Sequence, residues 1–268
     1  MNFQQRHVLR AAIGLAFATS AASSFAQAFD AVQLYGAAPG EDGGLVGLAV
    51  IAGHEYQGSD ERRTRLFPVL DYQWGNGFFA GLTNGIGFNF SKDSQAQYGL
   101  RVTANLGRDE SRSAALAGLG DIDIRPELGG FFNYYVSREI FLTSSLRYGS
   151  GNDRRGMVVD FGAGYSTAIA PSWQLGAGVA LSVVNEAYMQ SFFGVVAAQA
   201  SRSGYGVYTP SAGVRDVRAN AALTYLVSPK LRITGAVSFS GLQGDAKASP
   251  IVRQVSTANG VLAATYAF

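Results

Sequence analysis

The chain contains no cysteine. That excludes a disulfide framework, a thiolate metal site, a thiol nucleophile and a lipid-modified N-terminal cysteine. Histidine is nearly as scarce, with His7 and His54 as the only two, and His7 sits in what reads below as a leader. A single mature histidine excludes a histidine metal cluster and leaves one candidate base for any Ser-His-Asp arrangement. After the leader no stretch reaches the ~18 consecutive apolar residues expected of a spanning helix. Neither sign of charge dominates: there are 21 Lys and Arg against 19 Asp and Glu. Removing the leader takes away Arg6 and Arg10 and no acid, so 21 minus 2 leaves 19 bases against 19 acids. A neutral mature chain gives no support for nucleic-acid binding.

The leader has a basic start at Arg6, His7 and Arg10 and a short apolar core over residues 11–18. Small-x-small cleavage fits Ala26-Gln27-Ala28, with Ser24-Phe25-Ala26 an equal rival. The expected division is a signal peptide over residues 1–28 and a single domain over 29–268. Glycine is the abundant residue, 34 of 268 or about 13 per cent, against a usual ~7 per cent. These glycines lie inside alternating runs, where they weaken soluble strands but suit the curvature of a closed barrel.

The clearest pattern covers residues 214–241. Val217, Ala219, Ala221, Leu223, Tyr225 and Val227 share one face, and Asp216, Arg218, Asn220, Ala222 and Thr224 the other. After Ser228-Pro229, Leu231, Ile233, Gly235, Val237 and Phe239 oppose Lys230, Arg232, Thr234, Ala236, Ser238 and Ser240. A period of two means strands, and their length matches the ~9–11 residues of a tilted membrane strand better than the ~5–6 of a soluble one. Similar runs occupy residues 43–53, 64–74, 98–106, 128–136, 140–148, 157–167, 173–184 and 258–268. Two shorter ones, 78–83 and 86–91, flank Asn84-Gly85.

Counting both short runs predicts an all-β, antiparallel transmembrane β-barrel of twelve strands, with ten as the alternative. Twelve sorts the short turns onto a periplasmic side and the long loops, 54–63, 107–127, 150–156, 185–213 and 242–257, onto the outside, as outer-membrane barrels do. A helical turn is expected within residues 113–119, and residues 192–198 fit either a helix or a short hairpin. A soluble β-sandwich is the competing fold, though its strands are shorter. Leu262, Ala264, Tyr266 and Phe268 alternate up to a C-terminal phenylalanine, resembling the terminal strand read by the barrel-assembly machinery.

Inward positions on this register include Arg101, Arg147, Arg218 and Arg232 with Asp71, Asp160 and Asp216. They fit a slightly cationic water-lined lumen that favours small anions, or equally a network of ion pairs filling a narrow barrel. Asp60, Glu61, Arg62, Arg63 and Arg65 form an outer-rim cluster, suited to lipopolysaccharide or a host surface but better explained as a solvated rim. Tyr72, Trp74, Tyr134, Tyr148, Tyr165, Trp173, Tyr225, Tyr266 and Phe268 share the lipid-facing parity and are expected to form aromatic girdles at both interfaces. His54, Glu55, Ser59 and Asp60 are catalytic residue types, yet residues this close in one loop rarely form a triad. Glycine-rich 36–47 lacks the lysine and helix of a phosphate loop. No catalytic residue, metal site or cofactor is expected.

Five stretches in order resemble the MipA/OmpV family of outer-membrane proteins. They are Glu55-Tyr56-Gln57-Gly58-Ser59-Asp60 with Phe67-Pro68; Gly107-Arg108-Asp109-Glu110-Ser111 with 116–122; 188–200 running on through 203–204 to Gly213-Val214-Arg215-Asp216; Gly244-Asp245-Ala246 with Ser249-Pro250-Ile251-Val252; and the Thr265-Tyr266-Ala267-Phe268 ending. The family usually has proline where His54 stands. The resemblance implies a non-enzymatic protein of the Gram-negative outer membrane, in contact with lipid and lipopolysaccharide. It also implies a scaffold that joins a lytic transglycosylase to a bifunctional murein synthase in cell-wall biogenesis. The alternatives are a narrow porin or solute channel, or a surface adhesin or antigen.

Overall fold

The computed structural model describes residues 40–92 and 94–268; the expected leader and its cleavage site lie outside the described residues. Twelve antiparallel strands close into one barrel in which each pairs with its sequence neighbours and β1 meets β12. They are β1 (Gly43–His54), β2 (Arg62–Gln73), β3 (Phe78–Gly81), β4 (Gly85–Asn89), β5 (Ala96–Asn105), β6 (Arg125–Tyr135), β7 (Ile140–Ser150), β8 (Gly156–Ala170), β9 (Trp173–Val184), β10 (Gly213–Leu226), β11 (Leu231–Leu242) and β12 (Ser256–Ala267). Closure runs from Leu45↔Ala267 to Ala52↔Gly260. It ends in two backbone bonds, Gly44 N to Phe268 O and Phe268 N to Gly44 O, both 3.1 Å. No edge strand remains at the seam, as a hydrocarbon environment requires.

Alternation dictates which side chains face out. Along β12, Val261, Ala263 and Thr265 are buried while Leu262 and Tyr266 are exposed. Along β2, Leu66 is 64% exposed and its neighbour Phe67 is 2% exposed. Large apolar side chains cover the outer surface of every strand pair, the reverse of a sandwich, whose apolar faces meet each other. Such a surface is costly in water and stable in lipid. Among the described residues no helix is long and apolar enough to cross a membrane.

Most strands have ten or more residues, but β3 and β4 have four and five. They are shorter than the sequence pattern suggests because the chain turns at Leu82, Thr83 and Asn84, where Asp71 accepts from Thr83 Oγ1 at 2.7 Å and from Asn84 N at 3.3 Å. Gly81 lies against the Asp71 carboxylate, where a Cβ has no room. Gly164 likewise gives its space to the Phe141 ring inside the barrel, a large side chain covering a glycine on the neighbouring strand.

Short turns join the strands at one end, and the long loops fold at the other. Residues 185–212 form two helices, α1 (Glu186–Phe193) and α2 (Ala197–Ser203), and residues 243–255 carry α3 (Gly244–Ala248). The apolar stretch left open between helix and hairpin is therefore helical at both ends, with only an isolated bridge between Val195 and Tyr208. The loop after β5 has two single 3-10 turns, Glu110–Arg112 and Ala114–Leu116. Asn185 starts α1 by accepting from Tyr188 N at 3.0 Å, and the same oxygen accepts from Met157 N at 2.9 Å. The helix start is thus fixed to β8.

The aromatic residues depart from the expected pair of girdles. Tyr72, Trp74, Tyr134, Tyr165, Trp173, Tyr225, Tyr266 and Phe268 lie toward the short-turn end of their strands, and only Tyr148 lies near the loop end. Tyr72 touches Trp74, just past the end of its own strand, and Phe268 across the seam, and Trp173 touches Tyr225 across the β9–β10 pair. One dense girdle marks the short-turn interface.

Candidate functional site in the capped lumen

The lumen is divided by chemistry. Along the wall formed by β1, β2 and β10–β12 it is filled by Leu45, Ala49, Ile51, Phe67, Val69, Ala222, Ala236, Val261 and Ala263. Its loop end is closed by a folded cap. Tyr188, Met189 and Phe193 of α1 pack on Val158, Val184, Leu242 and Ala246, and beside them Leu116, Leu119, Val195 and Ile251 form a second small core. Loop-to-loop hydrogen bonds complete it: Tyr56 Oη donates to Ile251 O at 2.9 Å, Ser249 Oγ to Phe193 O at 2.6 Å and Tyr208 Oη to Asp245 O at 2.8 Å.

Under the cap, on the wall of β6–β10, lies a buried ionic network. Asp160 pairs with Arg147 at 2.8 Å and with Arg218 at 3.3 Å; Arg218 also reaches Asp216 at 3.2 Å, and Arg147 reaches Glu127 at 3.6 Å. Arg215 binds Asp216 and extends Nη1 to Tyr188 Oη at 2.8 Å and Nη2 to Ser182 Oγ at 3.0 Å. Strict alternation puts Arg215 on the lipid face with Val217. A β-bulge between Val214 and Asp216 turns it inward, leaving it 2% exposed. A bulge adds one residue to one strand and re-aims a side chain, and nothing in the period-two pattern marks its position.

Of the seven inward charges read from the sequence, Arg147, Asp160, Asp216 and Arg218 meet in this network. Arg101 donates to Ser145 Oγ at 3.3 Å and lies over the Phe131 ring. Asp71 serves the turn after β3. Arg232 lies near the short-turn end opposite Leu226 and Thr265, and among the described residues it has no acid within ion-pair distance. Glu127 and Arg215 are the members that sequence reading missed.

At the rim, Asp60, Glu61, Arg62 and Arg63 are exposed. Arg63 and Arg65 converge on Glu55 at 2.9 and 3.2 Å, with Arg112 at 4.0 Å, so Glu55 is the hub that ties the first loop to the loop after β5. His54 meets Asn259 at 3.2 Å, and Ser59 Oγ accepts from Glu61 N. Leu262, Ala264 and Tyr266 point outward on β12, which bonds to both β11 and β1, and Phe268 is exposed just past its end.

Between cap, network and apolar wall is a cavity of about 960 Å³. Arg65, Arg101, Arg147, Arg215 and Arg218 line it together with Asp160 and Asp216. Arg108 lines it from the loop after β5, its Nη1 donating to Phe192 O at 2.8 Å. The neighbouring Tyr56 hydroxyl is pushed up to about 12 by burial, so it stays protonated. Burial lowers Arg108 to about 10, which leaves it charged at neutral pH.

Among solved structures, the chain is similar to the NanC porin (12% identity, TM-score 0.48), with 82% of this chain and 98% of that one covered. It is also similar to an outer-membrane channel of Pseudomonas putida F1 (12%, 0.47, covering 89% and 99%) and to the KdgM porin solved with a disordered oligogalacturonate (10%, 0.45, covering 84% and 99%). No curated protein matches the sequence. The family model described as MltA-interacting protein MipA matches residues 46–268, from β1 to the C-terminus. The chain is a membrane β-barrel and belongs to the MipA family.

Proposed function

We propose that this protein is a closed outer-membrane barrel that holds murein-degrading and murein-synthesising enzymes together, a scaffold rather than an open pore. The observation that supports this most is the cap, in which α1 is packed on the barrel wall by an apolar core and held by Arg215 through Tyr188. A lumen closed by folded structure at one end and lined by an apolar wall below offers no wide aqueous path. What such a barrel offers is a fixed position in the membrane. Holding two soluble or lipid-anchored enzymes at one barrel raises their effective concentration without new chemistry. The family's description as MltA-interacting points to a lytic transglycosylase as one of them.

The test is in-cell cross-linking followed by affinity capture of the mature barrel. Recovery of a lytic transglycosylase, lost when Arg138, Glu139 and Lys230 in the short turns are reversed in charge, is the expected result. Recovery of assembly factors and lipopolysaccharide alone overturns the scaffold. A second reading, a solute channel, is favoured by the cavity of about 960 Å³ under the cap. Steady single-channel conductance of the purified barrel in planar bilayers supports that reading, and its absence supports the closed one.

A further inference from the structure

The barrel wall is incomplete on one side. β2 pairs with β1 along its whole length, but on its other edge it meets β3 only at Asp71, Tyr72 and Gln73, with Leu82 N bonding Leu70 O just above. β4 climbs beside β5 only as far as Ile86↔Val102. The loop-side half of β2, residues 62–69, therefore has no paired strand on that edge among the described residues. The cavity reaches this gap: it is lined by Arg65 and Phe67 on one side and by Ile86, Val102 and Ala104 on the other. Ile86, at 57% exposed, and Val102 both face lipid. The chamber, covered by the cap, thus opens sideways toward the loop-side leaflet.

Arg108 projects into the same chamber. It is 9% exposed, its Nε has no hydrogen-bond partner, and one N–H is taken by Phe192 O. Arg147, Arg215 and Arg218 each have a carboxylate, whereas among the described residues no acid lies within ion-pair distance of Arg108. The acids nearest in sequence are engaged elsewhere: Asp109 with Ser111 and Arg112, Glu110 with Gly118 N and Gly120 N, Asp121 with Glu110 N, and Asp123 with Arg125. A buried guanidinium without a counter-ion is costly, and its planar fork suits a carboxylate or phosphate. Leu116, Ile122 and Phe193 line the cavity nearby, and its volume is that of a small-molecule site.

We propose that Arg108 and the lateral gap form a binding site for an anionic amphiphile. The oxyanion head, a carboxylate or a phosphate monoester, docks on the free face of the guanidinium, and the hydrocarbon chain leaves the barrel between β2 and β5 into the bilayer. The site is separate from any scaffolding role.

The test uses the mature protein in a nonionic detergent with radiolabelled dodecanoate, measuring competition by dodecyl phosphate, dodecanol and inorganic phosphate. Saturable binding of one dodecanoate per barrel, displaced by dodecyl phosphate and not by dodecanol, is expected. Which of the two anions binds tighter distinguishes a fatty acid from a phospholipid source. Arg108→Met lowers affinity at least about tenfold, and Arg108→Lys, which keeps the charge without the fork, falls between. Protease resistance of the cap reports that each variant is folded. Ala104→Trp narrows the gap and weakens dodecanoate without changing inorganic phosphate binding. Equal displacement by dodecanol, an unaltered affinity in both Arg108 variants, or inorganic phosphate competing as well as dodecyl phosphate overturns the proposal. An Ala104→Trp barrel that binds dodecanoate normally removes the lateral exit.

Discussion

Arg215 donates to the Tyr188 hydroxyl at 2.8 Å, with its guanidinium carbon 5.3 Å from the centre of the same ring. One residue belongs to a barrel strand and the other to the helix that closes the mouth. The bond therefore couples cap to wall at a point shielded from water, where a charge-assisted hydrogen bond holds most strongly.

Tyr188→Phe keeps the ring contacts of the cap and deletes this acceptor, at an expected cost of about 1.5–3 kcal/mol for a hydrogen bond to a charged group. Hydrogen exchange should quicken in residues 186–193 and stay unchanged in β1 and β12. Arg215→Met goes further, because Asp216 loses a partner, and bilayer recordings of that variant should show brief openings that the parent lacks.

Asp160 is shared by Arg147 and Arg218. Asp160→Asn leaves both arginines short of charge inside the barrel, and breaking a buried pair of this kind costs about 3 kcal/mol or more. Arg63→Ala removes the exposed member of the Glu55 cluster and should cost less than about 1 kcal/mol. Denaturant unfolding of the two variants in lipid vesicles checks the contrast. Added salt should abolish the small effect and leave the large one.

Glu55 gathers Arg63, Arg65 and Arg112, and Arg112 also pairs with Asp109 at 3.3 Å. Glu55→Gln should free the first loop from the loop after β5, and limited proteolysis should then cut near residues 60–63 or 110–112 several times faster. The barrel's heat-modified electrophoretic mobility should not change.

Tyr56 provides a pH dependence with a definite sign. Its folded value is about 12, against about 10 in an unfolded chain. Between those values the folded state keeps a proton that the unfolded state has lost, so the contribution of Tyr56 to stability is complete below about pH 10 and is lost as the pH rises toward about 12. Arg108, lowered to about 10, works in the opposite direction over the same window. The informative comparison is therefore parent against Tyr56→Phe. Thermal unfolding followed by circular dichroism should lose stability more steeply with pH in the parent than in the variant.

Much of the architecture was legible because membrane strands carry their own signature. Polar and apolar side chains must alternate when one face meets lipid and the other the lumen, and the runs are long because the bilayer is thick. That pattern placed Leu262 and Tyr266 outward and Arg147, Asp160 and Arg218 inward, and together with the sorting of short turns and long loops it put the strand total at twelve. Three features were invisible to it. The bulge that turns Arg215 inward breaks the period by one residue at a point with no distinctive composition. The shortness of β3 and β4 depends on Asp71 gathering the turn at Thr83 and Asn84 from a neighbouring strand. The partners of Glu55 and the isolation of Arg108 depend on loops far apart in sequence folding over one mouth.

By itself, then, the sequence determined the class of solvent on each side of every long strand, and with it a closed barrel, since a sheet spanning hydrocarbon must join its first strand to its last. Only the tertiary structure decided whether that barrel is open. Capping a lumen takes contacts between α1, α3 and the loop before β6, held by short-range packing and hydrogen bonds whose partners no local periodicity specifies. The same long-range assembly leaves Arg108 buried with no acid among the described residues to pair it, beside a gap in the wall, a juxtaposition created by the fold and absent from any single stretch of the chain.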